Sequence, residues 1–244
     1  MISKNSINHI VHKLHLDDFV KSQREFLKDN KGGFLIPIEA KVTDEEYKRY
    51  RNLPIDWSLS PITSDDLPDE FSEKAVKTVD MFRRKTHNLD IECMIYFDIE
   101  TGNIVSCNFA DKNKPDEVSG EIYADVLKNM HISSVHNRPK QFYSPPSCKN
   151  CEMLSLDFEE YELIFSQREL WILESKEMVS DEKIKNIRKN AKEYFDFISE
   201  NTHVDLEKNY LIIDNMDFLY GNFLLDYLNN DFDNIKLTRR YLDG

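Results

Sequence analysis

Between residues 91 and 175 the apolar residues fall into short runs of strand length, each bounded by turn-forming or charged residues. Runs of four to eight residues with this punctuation are typical of β-strands. We predict five strands, over residues 91–98, 104–111, 131–135, 161–166 and 169–175. Glu100 to Asn103 carries a hairpin signal between the first two strands, and residues 121–130 have the pattern of an amphipathic helix. The centre of the chain is therefore predicted to be an α/β unit.

The sequence on either side of this unit has helical patterns. Helices are predicted over 16–30, from the capping-box spacing at Thr43 to near Pro54, over 69–87, from 180 to 200, and over 206–228. These patterns predict an α/β fold of the α+β type with helical N- and C-terminal extensions. The expected boundaries are 1–88 for a helical N-terminal region, 89–178 for the α/β domain, and 179–244 for a helical C-terminal region that packs on the core.

The charge balance excludes several classes of partner. The chain has 244 residues and a formal net charge of −13, and no stretch of it is basic. A surface that tracks nucleic-acid phosphates, or one that binds an anionic membrane, needs clustered Lys and Arg, so neither is expected. No apolar run reaches the roughly 18 residues of a membrane span, and the N-terminal sequence is too polar for a signal peptide. With only four cysteines, the chain is expected to be cytoplasmic.

One ordered set of residues points to a particular chemistry. Glu92 opens the first strand, the third strand runs into Val-His136-Asn-Arg138-Pro, and after a proline-containing loop Ser147 is followed by Asn150. This order resembles the JAMM/MPN (JAB) metalloprotease-like family, including its RadC branch, over about residues 91–176. The family motif is a glutamate, His-x-His-Pro and Ser-x-x-Asp. The resemblance implies a central mixed sheet with flanking helices.

In that family two histidines and an aspartate hold zinc, the glutamate is the general base for the zinc-bound water, and the serine assists the oxyanion. Carried over to this chain, the base is Glu92, the first histidine is His136 and the serine is Ser147. Arg138 stands at the second histidine and Asn150 at the aspartate. A guanidinium has no lone pair to donate, and a neutral amide is a poor zinc ligand beside a carboxylate. We therefore predict a degenerate site in which Arg138 supplies the positive charge, pairs with Glu92, and is surrounded by hydrogen bonds from Asn150 and His136.

Two functions follow from the resemblance. The first is a non-catalytic interaction or structural module with no cofactor and a protein partner; RadC-like domains also occur in proteins of phages and mobile elements, so a prophage-linked role is one expectation. The second is a zinc-dependent peptidase or isopeptidase that acts on a peptide substrate with an altered ligand set. Its ligands would be His136 with Cys148 or Asn150, and Cys148 and Cys151 form a Cys-x-x-Cys pair that could serve as a metal half-site.

Plainer interpretations of the same residues remain open. His136 could be a strand-end histidine bonded to the backbone, Glu92 a solvent-facing residue, Arg138 a surface charge, and Ser147 only a helix cap. Cys148 and Cys151 could be small buried residues on the first turns of a helix over 148–156. The acidic run from Asp157 to Glu162 is predicted to be a half-exposed strand entrance.

Overall fold

The computed structural model describes residues 44–118, 131–141, 143–147, 150–151, 159–177, 179–201 and 210–242. The α-helices are α1 (Asp44–Arg51), α2 (Glu73–Thr86), α3 (Asp181–Asn201) and α4 (Tyr210–Asp231), with a 3₁₀ turn at Ser64–Asp66. The strands are β1 (Cys93–Asp98), β2 (Ile104–Phe109), β3 (Ile132–Asn137), β4 (Glu159–Ser166), β5 (Glu169–Ser175) and β6 (Ile235–Tyr241). The helices expected over 16–30 and 121–130, and most of the one expected over 148–156, lie outside the described residues.

The six strands form one mixed sheet in the order β2-β1-β3-β4-β5-β6. Only β3 and β4 are parallel, and every other neighbouring pair is antiparallel. The five strands predicted from the sequence correspond to β1–β5. The described fold is therefore α+β, with a mixed sheet flanked by helices, and no helix among the described residues is long and apolar enough to cross a bilayer.

The hairpin between β1 and β2 depends on a glycine. Gly102 has φ +71°, which an L side chain rarely adopts, and a Cβ there would lie 2.6 Å from the Lys74 carbonyl in α2. The carbonyl of Gly102 accepts a hydrogen bond of 2.7 Å from the Thr78 hydroxyl. The hairpin turn is thus fastened directly to α2.

Among the described residues, one face of the sheet carries one apolar cluster, and the other face carries a second large cluster and a smaller one on β1 and β3. On one face, α1 and α2 pack over the strands, with Tyr50, Val79, Phe82, Ile95 and Leu163 among the buried residues. On the other face, α3 and α4 cover the β5–β6 half, with Ile187, Leu224, Trp171, Leu173 and Leu237 among the buried residues. Alternating residues of each strand point to opposite faces, and because both faces are covered, β1 and most of β5 are almost continuously apolar. The predicted helical flanks therefore supply the two outer layers of the described fold.

Strand β6 corrects the expectation that residues 179–244 are helical. Ile235–Tyr241 pairs antiparallel with β5 along its whole length, from Ser175 opposite Ile235 to Glu169 opposite Tyr241. Its Ile235 and Leu237 are buried against α4, whereas the third residue of the same face is Arg239. This arginine breaks the apolar alternation by which a strand is recognised, and the sheet therefore extends beyond the expected domain boundary at residue 178.

The outer edge of β6 is covered by a side chain at its centre. Asn229, near the end of α4, donates from Nδ2 to the Leu237 carbonyl at 2.8 Å and accepts from the Leu237 N–H at Oδ1, also at 2.8 Å. In an antiparallel ladder every second residue turns its backbone groups away from the neighbouring strand. The Asn229 amide therefore occupies the place of a seventh strand at Leu237, which reduces the tendency of the edge to pair with another chain.

We predict that Asn229→Ala exposes this edge. Two surface hydrogen bonds are lost, so the free energy of unfolding is expected to fall by about 1 kcal/mol, and β6 gains an unpaired backbone position. Size-exclusion chromatography with light scattering should then show concentration-dependent self-association. The matched control is Asn230→Ala, a change at the neighbouring exposed residue of the same helix. Equal behaviour of the two variants would contradict this role for Asn229.

Candidate functional site

The two chain segments that carry Glu92 and Arg138 are held side by side at one end of β1 and β3. Glu92 precedes β1, Arg138 follows β3, and Met94 lies opposite His136 in the antiparallel pair. The Asn137 side chain joins the segments: its Oδ1 accepts from the Cys93 N–H at 2.8 Å, and its Nδ2 donates to the Ile91 carbonyl at 3.2 Å. Asn137 had no predicted role, although it lies inside the His-Asn-Arg-Pro motif.

Arg138 is at the centre of the candidate site. Its Nη1 donates to Glu92 Oε1 at 2.6 Å, and the two side chains are 9% and 3% exposed. Its Nη2 donates to the Pro145 carbonyl at 3.2 Å and to Asn150 Oδ1 at 3.0 Å. The contacts expected between Arg138 and Glu92 and between Arg138 and Asn150 are present. Glu92 and Arg138 are not exposed surface charges, so the plainer interpretation of both is wrong.

Asn150 is oriented by its neighbours on both sides. Its Oδ1 accepts from the Ser147 N–H at 2.7 Å and from the Ser147 hydroxyl at 3.0 Å, in addition to Arg138. Its Nδ2 donates to Glu162 Oε1 at 2.9 Å. An amide has one acceptor and one donor end, so this set of partners fixes which way it points. The Ser147 hydroxyl thus contacts the side chain of Asn150.

Glu162 is the site residue that the sequence analysis missed. It lies in β4 with its side chain 5% exposed, and His136 Nδ1 is 3.5 Å from its Oε1. The side chains of His136 and Glu162 share a face because Ser134 lies opposite Glu162 and His136 is two residues after Ser134 on β3. Glu162 occupies an alternate position between Tyr161 and Leu163, which point to the other face. The available signal was an acid placed between two apolar residues of a predicted strand.

Glu159 is a second buried acid of β4, and its partner, like His136, is on β3. The hydroxyl of Ser134 donates to Glu159 Oε1, and both residues are buried. Burial raises the pKa of Tyr96 well above its ordinary value, and the negative charges of Glu159 and Glu162 raise it further. The prediction of a half-exposed entrance at residues 157–162 is therefore wrong for Glu159 and Glu162, which are 3% and 4% exposed. Both carboxylates have hydrogen-bonding partners on the sheet or on its loop, which makes their burial possible.

The protonation of Glu92 reflects two opposing influences. Burial raises the pKa of this carboxyl, whereas the charge and the hydrogen bond of Arg138 lower it; burial is the larger effect, so the pKa lies above its usual value. The Val118 N–H donates to the second oxygen, Oε2, at 3.3 Å. Glu92 is thus engaged at both oxygens, whereas a general base needs an oxygen directed at a water.

The residues of this site do not fit the zinc ion that the resemblance implies. A zinc ion needs three protein ligands with lone pairs, and at the position of the second histidine this chain places a guanidinium. Among the described residues there is no group of three His, Cys, Asp or Glu side chains arranged to hold a metal. Cys151 is buried in the apolar cluster under α3 and α4, as the plainer interpretation expects, and Cys148 lies outside the described residues.

Comparisons with protein-family models, with curated proteins and with solved structures found no match to this chain.

Proposed function

We propose that this chain contains a JAMM/MPN-like domain in which the Arg138 guanidinium takes the place of the catalytic cation, and that the domain acts by binding a protein partner and not by hydrolysis. The observation that carries the proposal is the position of Arg138. It donates to Glu92 at 2.6 Å and to Asn150 at 3.0 Å, the two residues that correspond to the general base and to a zinc ligand in the family motif.

The arrangement of the segments supports the proposal. The motif residues come from three places: the start of β1, the end of β3, and the loop before β4. They are far apart in the sequence, yet Glu92, Arg138, Ser147 and Asn150 form one connected set of hydrogen bonds. These hydrogen bonds are compatible with the resemblance, which assigns the four residues to one site.

Electrostatics explain why a cation is needed at this position. Glu92 contacts Arg138 directly, whereas Glu162 contacts Asn150, which in turn contacts Arg138. A carboxylate buried without a balancing charge is costly. A zinc ion would balance the acids of such a site in an active enzyme, and Arg138 supplies the charge next to Glu92 here. Hydrolysis by this family's chemistry requires a metal to lower the pKa of the attacking water, whereas a guanidinium holds no water in a reactive form.

The proposal predicts that zinc binding can be restored by two substitutions. Arg138→His with Asn150→Asp reinstates the family ligands beside His136 and removes the guanidinium charge. Isothermal titration calorimetry should detect about one zinc per chain in this double variant. The control is Arg138→Met with Asn150→Asp, which removes the same charge but lacks the second imidazole, and it should bind zinc at least about tenfold more weakly, which is about 1.4 kcal/mol.

Zinc binding by the wild-type chain as tight as by the His/Asp variant would contradict the proposal. It would favour the alternative of a zinc-dependent peptidase with an altered ligand set. Equal zinc binding by the two double variants would show that the site around His136 does not have the geometry that the motif implies.

A further inference from the structure

A pocket of about 340 Å³ lies between α1, α2 and the start of β2, on the face of the sheet opposite Arg138. The α1 wall is formed by Tyr47, Tyr50 and Arg51, which have the i, i+3, i+4 spacing of one helical face. The α2 wall includes Lys77 and Lys85, about two turns apart. The volume falls at the lower end of the roughly 300–1,000 Å³ that ligand sites span.

Lys85 is the most buried of the three cations that line the pocket, and hydrogen bonds hold its ammonium group. Lys85 is 9% exposed, and its Nζ donates to three carbonyls at the end of α1, those of Tyr50 at 3.1 Å, Arg51 at 2.7 Å and Leu53 at 3.3 Å. Burial lowers the pKa of Lys85, and the positive charge of Arg51 lowers it further. The carbonyls orient the ammonium, but no described carboxylate lies within 4.0 Å of it to balance its charge.

The two outer cations, Arg51 and Lys77, form no ion pair among the described residues, because no carboxylate there lies within 4.0 Å of their charged groups. Two acids of the same helices are paired elsewhere: Glu46 lies 4.0 Å from Arg49, and Asp80 lies 2.8 Å from Arg84. In a chain with a net charge of −13, three cations around one pocket without a lining acid are a local excess of positive charge. Such a site attracts an anion.

An aromatic surface adjoins these charges. Tyr47 is half-buried, its ring stacks on Tyr50 with centroids 6.5 Å apart and an interplanar angle of 18°, and the Arg51 guanidinium lies 5.9 Å from its centroid. A flat ring with cations at its border suits a ligand that has both a planar group and an anionic group.

We propose that this pocket binds a small organic phosphate, with the phosphate on Arg51 and Lys77 and a planar ring against Tyr47. The site is separate from the Arg138 cluster and does not depend on the function proposed for it. A mononucleotide and an aryl phosphate share this chemistry, and the choice of probes distinguishes them.

The test is isothermal titration calorimetry of the full chain with adenosine 5′-monophosphate, phenyl phosphate, inorganic phosphate and adenosine. We expect saturable binding of at least one of the two ring phosphates, weaker binding of inorganic phosphate, and none of adenosine. Arg51→Glu with Lys77→Glu should weaken ring-phosphate binding at least about tenfold, because two attractive charges become repulsive. The control is Lys74→Glu, one turn earlier on α2 and exposed but outside the pocket walls, which should change the affinity less than about twofold.

A second variant separates the ring from the charge. Tyr47→Leu should weaken binding of the ring phosphate but leave binding of inorganic phosphate unchanged. The proposal is overturned if neither ring phosphate binds saturably up to about 10 mM, which is about ten times the dissociation constant of a weak 1 mM site. It is also overturned if Lys74→Glu weakens binding as much as the Arg51/Lys77 variant does, or if inorganic phosphate binds as tightly as both ring phosphates.

Discussion

Arg138→Met is expected to lower the free energy of unfolding by about 3–5 kcal/mol, because it leaves the Glu92 carboxylate buried without its charge partner. The Glu92 carboxylate keeps a single hydrogen bond of those described, from the Val118 N–H at 3.3 Å. Asn150 loses one donor but keeps those of Ser147. Urea unfolding followed by circular dichroism measures the change.

The pairing is tested by the double variant. Glu92→Gln with Arg138→Met removes both charges, so most of the lost stability should return, and the two single changes should be strongly non-additive. Lys140→Met is the control, since Lys140 pairs with Asp90 at 3.1 Å on the surface with side chains 50% and 70% exposed. That change should cost less than about 1 kcal/mol. A double variant as unstable as Arg138→Met would contradict the account.

The effect of pH on Arg138→Met has a definite sign. In the folded protein the pKa of Glu92 lies above its ordinary value, so the folded state binds this proton more tightly than the unfolded chain does. Stability contributed by this group therefore falls as pH rises from the unfolded pKa toward the folded one. Loss of Arg138 raises the folded pKa further and widens that window. The destabilisation of Arg138→Met should accordingly be larger at pH 7 than at pH 5.

Arg239→Met is expected to have the second-largest effect, a loss of about 2–4 kcal/mol. Arg239 in β6 forms an ion pair with Glu169 in β5, and the two side chains are 7% and 8% exposed. Glu169 keeps two other donors, the Tyr143 hydroxyl at 2.8 Å and Trp171 Nε1 at 3.0 Å, so its carboxylate is less isolated than that of Glu92. The expected loss is correspondingly smaller.

Packing around Arg239 also limits the loss. Its guanidinium lies 5.0 Å from the ring centroid of Trp171 and 4.6 Å from that of Tyr241, and a methionine side chain keeps part of this contact. The matched control is Arg240→Met, because Arg240 is the next residue of the same strand and is exposed. Differential scanning calorimetry of both variants makes the comparison. A loss for Arg240→Met equal to that for Arg239→Met would contradict the assigned role.

The sequence analysis predicted most of the sheet because its strands are short, apolar and separated by turn residues. Strand β6 was missed because its buried face reads Ile235, Leu237, Arg239. The arginine is accommodated there by partners from elsewhere in the fold, namely Glu169 on β5, Asn222 on α4 and the Tyr143 hydroxyl. Such a partnership depends on tertiary structure and leaves no local pattern.

The candidate site was predicted in part for a similar reason. The Arg138–Glu92 contact was predicted from the resemblance, which places Arg138 at the position of a zinc ligand and Glu92 at that of the general base. Glu162 was missed because its partners, Asn150 and His136, lie 12 and 26 positions before it in the chain. In the sequence it is one acid in a charged run, and only the parallel pairing of β3 and β4 brings it to the site.

The most direct test of the central claim is the zinc content of the wild-type chain, purified without a chelator or a His-tag and measured by mass spectrometry. If Arg138 takes the place of the metal, the protein should contain less than about 0.1 zinc per chain, and His136→Ala should not change that value. About one zinc per chain, lost in His136→Ala, would contradict the account.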